Sequence, residues 1–185
     1  RVVVIGGGAS GVEAAETALE RGAKKATILA RKDHWIIPRQ LLVDCFITLF
    51  PYGSRFLAWL VPEQLIRRLH YRELDEKMSP TTPLYSGTPV VNNDFLRLVR
   101  QGAADYQRGE TTLLHHDGLE YNFRTRHQSK DERGETRFMS ADMIVLATGF
   151  ERPTIDFLPK DLFPPGYARP NMYLQCFPVT DASVV

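Results

Sequence analysis

The chain has 185 residues, of which 43% are hydrophobic, and 23 Lys+Arg stand against 22 Asp+Glu for a formal net charge of +1. That length suits one domain with room for an appendage, and it supports a core without help from metal or disulfides. The apolar fraction excludes a disordered chain, and the balanced charge excludes nucleic-acid binding through a global basic field. Cys45 and Cys176 are the only cysteines, so neither a disulfide framework nor a CxxC redox or zinc site is expected. A reducing, cytoplasmic compartment is the natural reading, with the cytoplasmic face of an internal membrane as its alternative. Arg1 runs straight into an apolar segment rather than a signal peptide, and Asp181 to Val185 stop without a helix-ending pattern. We therefore expect an interior piece of a longer protein.

In chain order, Val2-Val-Val-Ile5 is a β-branched run suited to a strand buried on both faces. Gly6-Gly-Gly-Ala-Ser-Gly11 follows, and residues 12–20 then supply helix formers with Val12, Ala15, Ala18 and Leu19 at helical spacing. Gly22 marks the helix end, and Ala26-Thr-Ile-Leu29 reads as a second, parallel strand. These pieces make one βαβ unit. Residues 35–80 read as a helical insertion, apolar and aromatic from Ile36 to Leu60 but broken by Arg39, Asp44, Arg55 and Pro51-Tyr-Gly53. Asn93 or Asp94 would cap a short helix over 95–100, which Gly102 would end. Strands at 111–114, 119–124 and 136–139 form an antiparallel meander within about 104–140, with a turn at His116-Asp-Gly118. Met143-Ile-Val-Leu146 returns to the main sheet, and 151–185 is Pro-rich and irregular. The expected architecture is α/β: a Rossmann-like dinucleotide-binding domain over 1–150, followed by a return segment over 151–185.

Gly6, Gly8 and Gly11 form G-x-G-x-x-G between a strand and a helix, the context in which that spacing carries chemistry. Gly6 turns the chain off the strand, Gly8 leaves room for a pyrophosphate, and Gly11 lets helix and strand approach. The open N–H groups of the helix start offer a partial positive charge to phosphate, and Ser10 adds a hydroxyl. NAD and FAD sites usually carry a carboxylate at the tip of the second strand, roughly 20 residues beyond the glycines. Here that position holds Arg31, followed by Lys32. A guanidinium suits a 2′-phosphate, so NADPH is favoured over NADH and FAD.

In order and spacing, Gly6 to Gly11, Thr27-Ile-Leu-Ala-Arg31 with Trp35 to Arg39 behind it, and Asp142 to Phe150 resemble the flavin-containing monooxygenases. Thr88 to Asp94 and Tyr173 to Pro178 are also similar to segments of that family. The resemblance implies an NADPH-binding domain in which Gly6, Gly8, Ala9, Ser10 and Gly11 hold the pyrophosphate and Arg31, with Lys32, the 2′-phosphate. It places Thr148 and Gly149 in the crossover to an FAD-binding domain. FAD would be bound mainly by regions outside this chain, because the family's first Gly-rich motif is missing from it. The family uses NADPH to reduce FAD and then oxygenates a small organic substrate with O2. A flavin-dependent NAD(P)H reductase module and a non-catalytic dinucleotide-binding domain are the alternatives.

No catalytic acid–base pair stands out, which fits chemistry carried by a flavin. His115-His116 lacks ligands at metal spacing, so no metal is expected. His34 and His70 read as structural or exposed, and Cys45 as a core residue. The charges from Arg124 to Glu135 read as a solvated hairpin. Charges inside residues 36–61 argue against a membrane span; amphipathic helices there would cover the sheet, line a substrate entrance or touch a membrane surface.

Overall fold

The computed structural model describes residues 1–39, 59–74, 78–125, 128, 132 and 134–151. The chain divides into two compact units, Arg1–Gly149 and Phe150–Val185, and everything below lies in the first. Residues 152–185 of the return segment, with Phe157, Leu158, Phe163, Tyr173 and Phe177, lie outside the described residues, as do Cys45 and Cys176.

The apolar run Val2–Ile5 forms β1, and the helix formers after the glycines form α1, Ala9–Glu20. Gly22, with φ +96°, takes the left-handed turn that ends α1. Strand β2 spans Ala26–Ala30 and pairs parallel with β1, Val2 opposite Ala26 and Ile5 opposite Leu29. The other strands of this sheet are β5 (Ala104–His115), β6 (Gly118–Phe123), β7 (Glu135–Ser140) and β8 (Met143–Leu146). They lie in the order β7-β6-β5-β2-β1-β8. Strands β5, β2, β1 and β8 run parallel, whereas β5-β6-β7 form the antiparallel meander.

Strand β5 does two jobs. Its first five residues pair with β2, and from Gly109 onward it pairs with β6. A Cβ on Gly109 would lie 2.7 Å from the Asn122 carbonyl oxygen, so the changeover needs a residue without one. The sheet therefore curls, and its two faces are covered differently. Val2, Val4, Ala26 and Ile28 pack with Val12 and Ala15 of α1 and with Phe95 and Leu96 of a short helix, Phe95–Arg100. Val3 and Leu29 point the other way, onto Leu119, Tyr121 and Met139 of the meander. Both faces of β1 are thus dry, which explains its unbroken apolar run. Each such buried side chain contributes roughly 1.5–3 kcal/mol.

The insertion begins with β3 (Ile36–Ile37), paired parallel with β4 (Val90–Val91). Residues 40–58 lie outside the described set. Residues 59–71 are helical: π-type turns over Trp59–Glu63 and Arg67–Tyr71 flank an α-helical turn, Gln64–Ile66. We call residues 59–71 α2 and Phe95–Arg100 α3. Buried Glu63 pairs with Arg67 at 2.9 Å and accepts the Leu84 N–H, while Arg67 reaches the Pro80 carbonyl and stands 4.6 Å over the Trp35 ring. That network ties α2 to the loop before β4.

Asp94 stands at the N-cap of α3, one of the two positions expected, but its side chain makes no cap bond. Asn92, not Asn93 or Asp94, accepts the Asp94 and Phe95 N–H groups through its side-chain oxygen. Asp94 is drawn into an ion pair with Arg97, and Asn93 accepts the Arg39 N–H. Arg124 also departs from the solvated hairpin expected of its segment: it is buried and paired with Glu110.

Candidate functional site

Strand β1 delivers the glycine turn to the carboxyl edge of the parallel sheet, where ligands of open α/β sheets bind. There a cleft of about 560 Å³ is lined by the turn, by the tip of β2 and the residues after it, by Gly109 to Thr111 of β5, and by Ala147 to Gly149 after β8.

The glycines differ in what surrounds them. Gly6 has φ +123°, and a Cβ there would lie 2.1 Å from the Ala147 carbonyl oxygen. A Cβ on Gly11 would lie 2.0 Å from the Gly6 carbonyl oxygen, so α1 and its turn close on each other only because Gly11 has none. Gly7, which sequence reasoning passed over, packs against Tyr106, whose hydroxyl would stand 2.4 Å from a Cβ. A Cβ on Gly8 would meet nothing within 4 Å, and its φ of −76° is open to any residue. Structure alone does not require a glycine at position 8, and the space beside it is open.

Gly8 is also the N-cap of α1, and its carbonyl accepts the Gly11 and Val12 N–H groups. No side chain caps this end and no acidic residue stands in the first turn. The first amides of α1 and the positive end of its dipole are a setting that chemically suits an anion. Ala9 and Ser10 begin the helix and are exposed, but they do not line the cleft; Gly11 is buried behind it. Gly8→Thr separates ligand from fold, because threonine caps a helix about as well as glycine. We expect unfolding free energy unchanged within about 0.5 kcal/mol and dinucleotide affinity reduced at least tenfold, read by thermal melting and calorimetric titration.

At the β2 tip, Arg31 and Lys32 both line the cleft. The Arg31 side chain is 72% exposed, and its contact is with Glu110 of β5, Nη1 to Oε1 at 3.8 Å. Asp33, the carboxylate nearest the β2 tip, does not line the cleft. It is buried in an ion pair with Arg108 and accepts from the Thr81 N–H and hydroxyl. Tyr106 donates its hydroxyl to the Lys32 carbonyl at 2.9 Å, and burial pushes its phenol well above the usual range. Asp33 and Tyr106 therefore fix the loop that presents Arg31.

Thr148 and Gly149 line the opposite side of the cleft, and Gly149 has φ +90°. The structure thus gathers Gly6, Gly8, Arg31, Lys32, Thr148 and Gly149 around one space. Sequence reasoning missed Glu110, His34 and Thr111, which line it too. Glu110 had no local signal, since its partners Arg31 and Arg124 come from distant segments. His115 pairs with Glu120 across the hairpin, and among the described residues no group of three ligating side chains could hold a metal ion. No helix among them is long and apolar enough to cross a membrane; most of 36–61 lies outside the described set.

Residues 1–41, which carry β1, the glycine turn, α1, β2 and Arg31, match the family model described as pyridine nucleotide-disulphide oxidoreductase. Among solved structures, cyclohexanone monooxygenase bound to ε-caprolactone aligns over 82% of this chain and 40% of its own, with 14% identity and a TM-score of 0.55. This chain has a Rossmann-like α/β fold. OTEMO in complex with FAD and NADP aligns over 82% of this Rossmann-like chain and 38% of its own, with 15% identity and a TM-score of 0.52. A bacillithiol disulfide reductase from Bacillus cereus aligns over 80% of the chain and 28% of its own, at 21% identity and a TM-score of 0.39, too low to bear on the fold. The chain thus spans less than half the length of each of these structures. No curated protein matches its sequence.

Proposed function

We propose that this chain is the NADPH-binding portion of an FAD-dependent monooxygenase, a flavoprotein that reduces FAD with NADPH and places one oxygen atom of O2 on a small organic substrate. The observation that carries the reading is the cleft itself: an open cradle at Gly8, the uncapped start of α1, and Arg31 with Lys32 facing them from the β2 tip. In this reading the backbone amides at the start of α1 hold the pyrophosphate, and Arg31 with Lys32 holds the 2′-phosphate. Thr148 and Gly149, on the wall of the cleft, would form the crossover toward the FAD-binding region. The chemistry supplied by the cofactors is hydride transfer from NADPH to FAD and oxygen activation by the flavin; FAD is held mainly by regions outside this chain. The protein contributes binding and orientation.

The family model matched over residues 1–41 favours a second reading, a flavin-dependent NAD(P)H reductase feeding a disulfide or quinone. The chain carries no cysteine pair at close spacing to support it. The two readings part in the longer flavoprotein that contains this chain. A monooxygenase consumes O2 with NADPH in step with oxygenated product. NADPH oxidation that instead reduces a disulfide or quinone, with no oxygen incorporated from labelled O2, would replace our reading with the second.

A further inference from the structure

The cleft holds a second charged group beside Arg31. Glu110 stands on β5, the strand next to β2, and both residues line the same space. Its Oε2 accepts from the buried Arg124 guanidinium at 2.9 Å. Its Oε1 faces Arg31 at 3.8 Å, beyond hydrogen-bonding distance, so among the described residues this oxygen makes no closer polar contact. Arg124 anchors the carboxylate, so the end of β2 and the middle of neighbouring β5 present a cation and an anion side by side.

The geometry points to Glu110 as a specificity-determining residue, one that restrains the preference for the phosphorylated nucleotide that Arg31 creates. This inference rests on the proposed dinucleotide site. A 2′-phosphate that engages Arg31 is brought within a few ångströms of the Glu110 carboxylate, and like charges at that range repel. A free ribose 2′-hydroxyl meets no such penalty and can donate to Oε1, the interaction that a carboxylate at the β2 tip provides in NAD sites. Here the acceptor comes from the adjacent strand, because Asp33 is committed to Arg108 and Thr81. Arg31 and Glu110 therefore act on the same ribose position in opposite senses.

Calorimetric titration of the chain with NADP+ and NAD+, for the wild type, Glu110→Gln, Glu110→Ala and Arg31→Ala, tests this. Glutamine keeps the shape and an acceptor for Arg124, and alanine removes both, so the pair separates charge from packing. We expect NADP+ to bind about fivefold more tightly to Glu110→Gln and NAD+ to bind about threefold more weakly. The NADP+ gain should shrink at high salt, since Glu110 is 45% exposed. Unchanged or equally changed affinities for the two nucleotides in both Glu110 variants would overturn the role of Glu110, as would weaker NADP+ binding to Glu110→Gln. If Arg31→Ala also leaves the ratio of affinities unchanged, Arg31 does not read the 2′-position; if neither nucleotide binds the wild type, the dinucleotide reading itself fails, and both results are distinguishable from a failure of Glu110 alone.

Discussion

Arg31→Ala should lower the preference for NADP+ over NAD+ by roughly 10- to 100-fold while leaving the melting temperature almost unchanged. A charge-assisted hydrogen bond to a phosphate is worth about 1.5–3 kcal/mol, and each 1.4 kcal/mol is a factor of ten in affinity. The loss should fall on the phosphorylated nucleotide alone, because NAD+ offers Arg31 only a hydroxyl. Stability should hold because the side chain is 72% exposed and its one ion pair among the described residues, with Glu110, is at 3.8 Å; exposed substitutions of this kind stay within about 0.5 kcal/mol. Arg31→Lys should keep the charge but recover only part of the preference, since an ammonium cannot bind bidentately. Titration of both nucleotides alongside a thermal melt reads every term. Parallel losses for NADP+ and NAD+ would mean that Arg31 shapes the cleft instead of reading the 2′-position.

The largest effect on folding should come from Gly11→Ala, one methyl group in the wall between α1 and its turn. The added Cβ would sit 2.0 Å from the Gly6 carbonyl oxygen, a backbone atom that is itself held by the turn. Overpacking commonly costs 1–3 kcal/mol where side chains can yield. Here backbone must move, and with it the closure of α1 onto β1, so we expect about 3 kcal/mol or more. For a unit of this size that is a fall in Tm of about 10 °C. Chemical denaturation should show a lower midpoint with little change in slope. A melt within 2 °C of the wild type would show that the helix can withdraw at little cost, and would undercut the reasons given for the turn.

The contrast between Gly11 and Gly8 shows what the sequence could and could not reveal. The βαβ unit was legible because its signals are local: an apolar β-branched run, glycines, a stretch of helix formers, and a second apolar run. Strand β8 was legible for the same reason. The first half of β5 was not, because its inward positions include Arg108, whose burial makes sense only with Asp33 seventy-five residues earlier in the chain. A charge at a core-facing position breaks the alternation that marks a strand. Asp94 was legible as the N-cap position of α3, but not that Asn92 would supply the side-chain oxygen, since Asn92, Asn93 and Asp94 are all capable caps and their other partners decide among them. Arg31 could be found by counting from the glycines. Glu110 could not, because its place in the cleft depends on the pairing of β5 with β2 and on Arg124 arriving from the end of β6.

The most direct test of the site is to follow the backbone amide signals of the 15N-labelled chain as NADP+ is added. The account predicts that the amides of Gly8, Ala9, Ser10 and Gly11 shift together with the Arg31 side-chain signal, and that NAD+ moves the glycine turn but leaves Arg31 nearly still. Shifts confined to other parts of the chain, with the start of α1 unmoved, would contradict it.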